Sequence, residues 1–108
     1  MDNHYNHFKK IDAHSHIGKF GSPFNIDFDL QRLTEQMEAY NIEKTILCPA
    51  GCHLNEELKT AYQAAPDKII PLCWVNANEG QEAYDMLEHY LRDENFAGVK
   101  MQPLFDAF

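Results

Sequence analysis

His14 and His16 stand two residues apart in the stretch from Lys10 to Ile17, and that spacing could do chemistry. Successive side chains of a strand alternate faces, so Asp12, His14 and His16 share one side while Ile11, Ala13, Ser15 and Ile17 share the other. Two imidazoles leaving one face at the carboxyl end of a strand can reach a single divalent ion. Such an ion, Zn²⁺ for example, lowers the pKa of bound water to about 7 and so makes hydroxide available near neutrality. The competing reading is that the two are incidental, exposed or core histidines in a chain that has six. Apolar neighbours on the opposite face favour the ligand reading, because a purely surface strand has no reason to carry them.

The elements that would position this pair follow from periodicity. A strand is expected over Lys10–Ile17, then an amphipathic helix from Asp29 to Asn41 with Leu30, Leu33, Met37 and Tyr40 along its stripe. Asp29 suits the N-cap of that helix. Thr45–Cys48 reads as a short buried strand ended by Pro49-Ala50-Gly51. A second helix is expected from Asn55, with Glu56 and Glu57 at the positive end of its dipole and Pro66 just beyond its last turn. Ile69–Val75 reads as a parallel strand covered on both faces, although Pro71 interrupts it. A third helix fits Gln81–Arg92, and Phe96–Met101 a fourth strand stopped by Pro103. Strands alternating with helices call for a parallel sheet with crossover helices packed on it, an α/β fold. Residues 1–9 form a polar leader expected to be disordered, and residues 10–108 the folded unit.

Composition narrows the partners. A hydrophobic fraction of 44% in 108 residues supplies one core. The formal charge of −8 repels phosphate backbones and anionic membranes, so neither nucleic acid nor a membrane surface is expected to bind. No apolar run approaches the roughly 20 residues of a membrane helix, and the start lacks the apolar core of a secretory signal. Three cysteines without the dense spacing of a disulfide scaffold point to reduced thiols and a cytoplasmic setting.

The run Ile11-Asp12-Ala13-His14-Ser15-His16-Ile17-Gly18 resembles the opening strand of the amidohydrolase-related barrels of the amidohydrolase 2 type, a group that includes lactonases, decarboxylases and amide hydrolases. Phe96-Ala97-Gly98-Val99-Lys100-Met101-Gln102-Pro103 resembles the fourth strand of the same group. The resemblance implies the N-terminal half of a TIM-like barrel, about four parallel strands alternating with helices. It also implies a metal at the carboxyl-terminal mouth, held by His14 and His16 with further ligands from later strands. In the family those ligands are histidines on the fifth and sixth strands and an aspartate on the eighth, which also takes a proton from the attacking water. The family's fourth strand often has a histidine before its proline, where this chain has Gln102. Lys100 resembles the bridging lysine of some binuclear relatives, but in most single-metal relatives the same lysine is not a ligand.

Other residues carry weaker expectations. Asp12 either orients an imidazole as a hydrogen-bond acceptor or bonds within the barrel floor. For Lys100 a buried or salt-bridged role is the ordinary one, with substrate contact as the alternative. Asn76, ending the third strand, would point toward a mouth-lining loop and touch substrate. Cys48 and Cys52-His53 follow the second strand and could bind zinc, but a buried thiol and a loop residue are the ordinary expectation. Cys73 and Trp74 are expected as strand core, and His4, His7 and His89 as bystanders.

An eight-stranded barrel takes about 250 residues, so a half-barrel needs a longer chain, a second copy as a homo-oligomer, or another subunit to complete it; otherwise it closes as a small open sheet. The expected function is metal-dependent hydrolysis, or related lyase chemistry, on a small carbonyl or carboxylate substrate. The expected cofactor is a divalent metal ion, zinc first, with manganese or another ion in its place. The alternatives are a metal-dependent phosphoesterase and a non-catalytic interaction module that binds a partner through its open edges.

Overall fold

In the computed structural model, residues 4–23 and 25–107 are described. Among the described residues six strands form: β1 (Lys10–Ser15), β2 (Gly18–Phe20), β3 (Ile26–Phe28), β4 (Ile42–Leu47), β5 (Ile69–Trp74) and β6 (Gly98–Lys100). The helices are α1 (Leu30–Ala39), α2 (Asn55–Ala64), α3 (Gln81–Glu88) and the short α4 (Pro103–Asp106). β1, β4, β5 and β6 make one parallel sheet in that order, and α1, α2 and α3 each supply one crossover between successive strands. The expected alternation is therefore the observed one.

Helices cover one face. Leu33 and Met37 of α1, Leu58 and Ala61 of α2 and Ala83 of α3 bury against Leu47, Ile69 and Cys73 of the sheet. Asp29 caps α1 as expected, its carboxylate accepting from the Arg32 backbone N–H at 2.9 Å. The other face is half open. Along β5 the residues Ile69, Pro71 and Cys73 are buried while Ile70 and Leu72 between them are only half-buried, so the strand is not covered on both faces as its composition led us to expect. The Cα radius of gyration is 15.1 Å, against about 13 Å for a compact domain of this length, as an unclosed sheet requires.

Several boundaries differ from the sequence reading. β1 is an edge strand paired only with β4, with register irregularities, and it stops at Ser15. Among the described residues nothing lies beyond that edge, so Ile11 is 57% exposed and Ala13 is exposed too, while Ile17 of the same apolar flank is buried in the core. β2 and β3 form an antiparallel pair between β1 and α1 that periodicity did not reveal. β4 begins three residues earlier than expected, at Ile42. The third helix passes into a π-helical turn at His89–Asp93, and the fourth strand shrinks to Gly98–Lys100 before α4 begins. In the polar leader, His4–His7 form a 3-10 turn and the Lys10 ammonium donates to the Tyr5 carbonyl at 2.8 Å; Met1–Asn3 lie outside the described residues. Among the described residues no helix is long and apolar enough to cross a membrane.

Candidate metal centre

The carboxyl ends of β1 and β4 are tied by main-chain contact. The Cys48 N–H donates to the Ser15 carbonyl at 2.8 Å, which brings the Cys48 carbonyl beside the next residue of the first strand, His16. His16 Nδ1 lies 2.6 Å from that carbonyl oxygen. A carbonyl oxygen only accepts, so Nδ1 is the donor, and in the neutral ring Nε2 then keeps the lone pair that a metal would take. His14 stands beside it, with ring centroids 4.7 Å apart and planes at 67°. The Asp12 carboxylate accepts from the His14 backbone N–H at 3.0 Å, a bond within its own strand rather than to an imidazole or across the barrel floor.

Both rings line a cavity of about 240 Å³ at this end of the sheet, together with Pro49, Ala50, Trp74, Lys100, Gln102 and Phe105. Lys100 is thus in the site, but not as a salt-bridged residue: it is half-buried and has no ion pair or hydrogen bond among the described residues. It stands on β6, at an edge of the sheet among the described residues. Asn76 is not brought to the cavity. Its side chain instead accepts from the Asn78 N–H at 3.0 Å and caps the 3-10 turn Ala77–Glu79.

Trp74 is buried strand core as expected, and it also lines the cavity, which sequence reasoning did not show. Its main chain is gripped by the buried Asn55, whose Oδ1 accepts from Trp74 N–H at 2.7 Å and whose Nδ2 donates to the Trp74 carbonyl at 2.9 Å. Its indole N–H donates to Asp106 Oδ2 at 2.8 Å, and its ring meets Phe105 edge to face at 5.7 Å. Asn78 Nδ2 donates to the Asp106 carbonyl at 2.6 Å, so α4 is strapped over the end of β5. The available signal was position: Trp74 is the last residue of a parallel strand, where barrel sites open. Phe105 carried no such signal, lying beyond the proline that ends the strand.

The thiols do not assemble a metal site. Burial pushes the Cys48 thiol up, partly opposed by the positive charge of Lys100 and reinforced by Asp12. No group of three or more His, Cys, Asp or Glu side chains among the described residues could hold a metal ion, which removes Cys48 with Cys52-His53 as a zinc site. His14 and His16 remain as a pair of nitrogen donors on one mouth, which would suit a divalent ion, although two such groups do not by themselves make a metal site among the described residues.

No known family profile matches the chain, and no curated protein does. Solved structures match its fold. A 5-carboxyvanillate decarboxylase from Novosphingobium aromaticivorans, with bound manganese and 3-methoxy-4-hydroxy-5-nitrobenzoic acid, superposes with a TM-score of 0.75 at 16% identity, over 90% of this chain and 42% of that one. A 2,6-dihydroxybenzoate decarboxylase from Rhizobium gives a TM-score of 0.62 at 18% identity, over 84% of this chain and 36% of that one. A 2,6-dihydroxybenzoate decarboxylase complexed with 2,6-dihydroxybenzoate gives 0.62 and 18% over 83% and 36%. The chain therefore spans less than half the length of these enzymes. Its fold is a four-stranded half of a TIM-like barrel, and the solved structures it superposes on are decarboxylases.

Proposed function

We propose that this chain is part of a metal-dependent enzyme of amidohydrolase type acting on a small carbonyl or carboxylate substrate, with His14 and His16 as metal ligands. The observation that carries this reading is the bond from His16 Nδ1 to the Cys48 carbonyl, which presents Nε2 beside His14 at the carboxyl ends of the strands. A bound divalent metal supplies Lewis-acid polarisation and a lowered water pKa. The chain's own residues orient the imidazoles, wall the cavity with Trp74 and Phe105, and place a cation, Lys100, within it. The general base and the remaining ligands come from outside these residues.

Hydrolysis and decarboxylation both suit such a site, and the neighbours' activity lends support to the second. Zinc suits paired imidazoles, while the manganese in the 5-carboxyvanillate enzyme supports a divalent ion without selecting zinc. Free cysteines support a reducing, cytoplasmic setting. The free edges at β1 and β6 support completion by the rest of a barrel or by a second copy.

Elemental analysis of untagged, monodisperse protein tests the reading. Stoichiometric metal in the wild type, lost in a folded His14→Ala/His16→Ala variant, is the expected result. No metal in either protein after incubation with Zn²⁺ or Mn²⁺ would sink it. In that case the interaction module gains, a reading supported by the same free edges and by Leu104 and Phe105, which are 92% and 70% exposed.

A further inference from the structure

β1 carries one residue more than its partner strand just where the histidines begin. Asp12 pairs with Thr45 of β4 and Ser15 with Leu47, so three steps along β1 run against two along β4. One extra residue on one strand is a β-bulge, and it reverses the side-chain alternation beyond it. Register partners on parallel strands leave the sheet on the same face. Asp12 thus goes with Thr45, and Ser15 with Leu47, on the face where Thr45 and Leu47 are fully buried. The Ser15 hydroxyl meets the Thr45 hydroxyl there at 2.5 Å and pins the shifted register. His14 and His16, on either side of Ser15, leave by the other face and line the cavity with Trp74 and Lys100, themselves register partners. The sequence pattern put Asp12 on one face with both histidines; the extra residue separates them.

The Asp12 carboxylate holds the extra residue in place. Its Oδ1 accepts from the His14 backbone N–H at 3.0 Å, two residues on, the short-range bond by which an aspartate closes a turn on its own chain. Between Asp12 and Ser15 the ladder with β4 has no pair, so the carboxylate supplies the partner that the His14 N–H lacks in the ladder.

We propose that Asp12 is the positioning residue of the histidine pair: its bond to the His14 N–H closes the bulge, and the bulge turns both imidazoles to the cavity. The proposal rests on the metal-enzyme reading for what the pair then binds, but not for the geometry itself. Asp12 acts through the backbone of His14 rather than through either ring. An acceptor of the same length serves equally in its place, so a side-chain amide replaces the carboxylate while a methyl group does not.

Wild type, Asp12→Asn, Asp12→Ala and Asp12→Leu are compared, the last of similar volume to aspartate but with no acceptor. Circular dichroism and urea unfolding establish which of them fold. The first readout needs no metal. Cross-relaxation between the ring protons of His14 and His16, whose centroids stand 4.7 Å apart, is expected in wild type and Asp12→Asn and is expected to vanish in Asp12→Ala and Asp12→Leu. The second is Zn²⁺ affinity by calorimetry, expected to fall about tenfold or more in the folded variants without an acceptor and to stay within about threefold of wild type in Asp12→Asn. A merely structural role would lower the urea midpoint and leave both readouts unchanged in the folded protein, which overturns the proposal. Asp12→Asn behaving like Asp12→Ala also overturns it, because the charge and not the acceptor is then what matters. So does failure of both Asp12→Ala and Asp12→Leu to fold, which makes Asp12 a residue of general stability. If wild type takes up no Zn²⁺ while the ring contact still follows the acceptor at position 12, the metal reading fails and the positioning role stands.

Discussion

His16 Nδ1 lies 2.6 Å from the carbonyl oxygen of Cys48, so the main chain of one strand sets the proton position on the ring of its neighbour. At a pH where the imidazole is neutral, long-range ¹H–¹⁵N correlation spectra should show the His16 proton on Nδ1, and added Zn²⁺ should move the Nε2 resonance. A predominant Nε2–H form would mean that the contact is not a hydrogen bond of the kind described.

Asn55 is 1% exposed and acts as a strand partner for Trp74, accepting from its N–H and donating to its carbonyl. Asn55→Ala leaves two buried main-chain groups unpartnered and should destabilise the fold by about 2–4 kcal/mol in urea unfolding. A loss below about 1 kcal/mol would show that water fills the gap.

The three thiols should separate by reactivity toward Ellman's reagent. Cys73 is fully buried and burial pushes its pKa to about 11, so it should stay unmodified until the protein unfolds. Cys48 is also buried, and Cys52 is half-buried, so Cys52 should react first even though burial raises its pKa too. Fast modification of Cys73 in native buffer would contradict the packing of β5 under the helices.

Tyr90 should titrate late. Burial, assisted by the bond its hydroxyl donates to Glu56 Oε1 at 3.1 Å, raises its pKa from 10.0 to about 12. The folded state thus holds its proton more tightly than the unfolded chain, so the stabilisation is complete below pH 10 and is lost as pH rises from about 10 to 12. Absorbance at the tyrosinate band should show one late phase that Tyr90→Phe abolishes, and the same variant should flatten the fall in stability over that window.

The helices and the parallel strands were legible because each carries its own period: Leu33 and Met37 mark the buried stripe of α1, and Asp29 announces its start. The histidine pair was legible for the same reason, but of the apolar flank Ile17 is buried while Ile11 is exposed, and the His16–Cys48 bond that orients the ring joins residues far apart in sequence. β2 and β3 escaped notice because three residues are too few to show an alternation. The capping role of Asn76 was illegible because it depends on a turn that its own side chain helps to close.

The order of strands in the sheet is their order along the chain once the β2–β3 pair is set aside. Each strand therefore finds its neighbour already made: β1 offers the edge for β4, β4 for β5, and β5 for β6. None of these three pairings waits for a distant segment, so this part of the sheet can be laid down vectorially as the chain leaves the ribosome, one strand and one helix at a time.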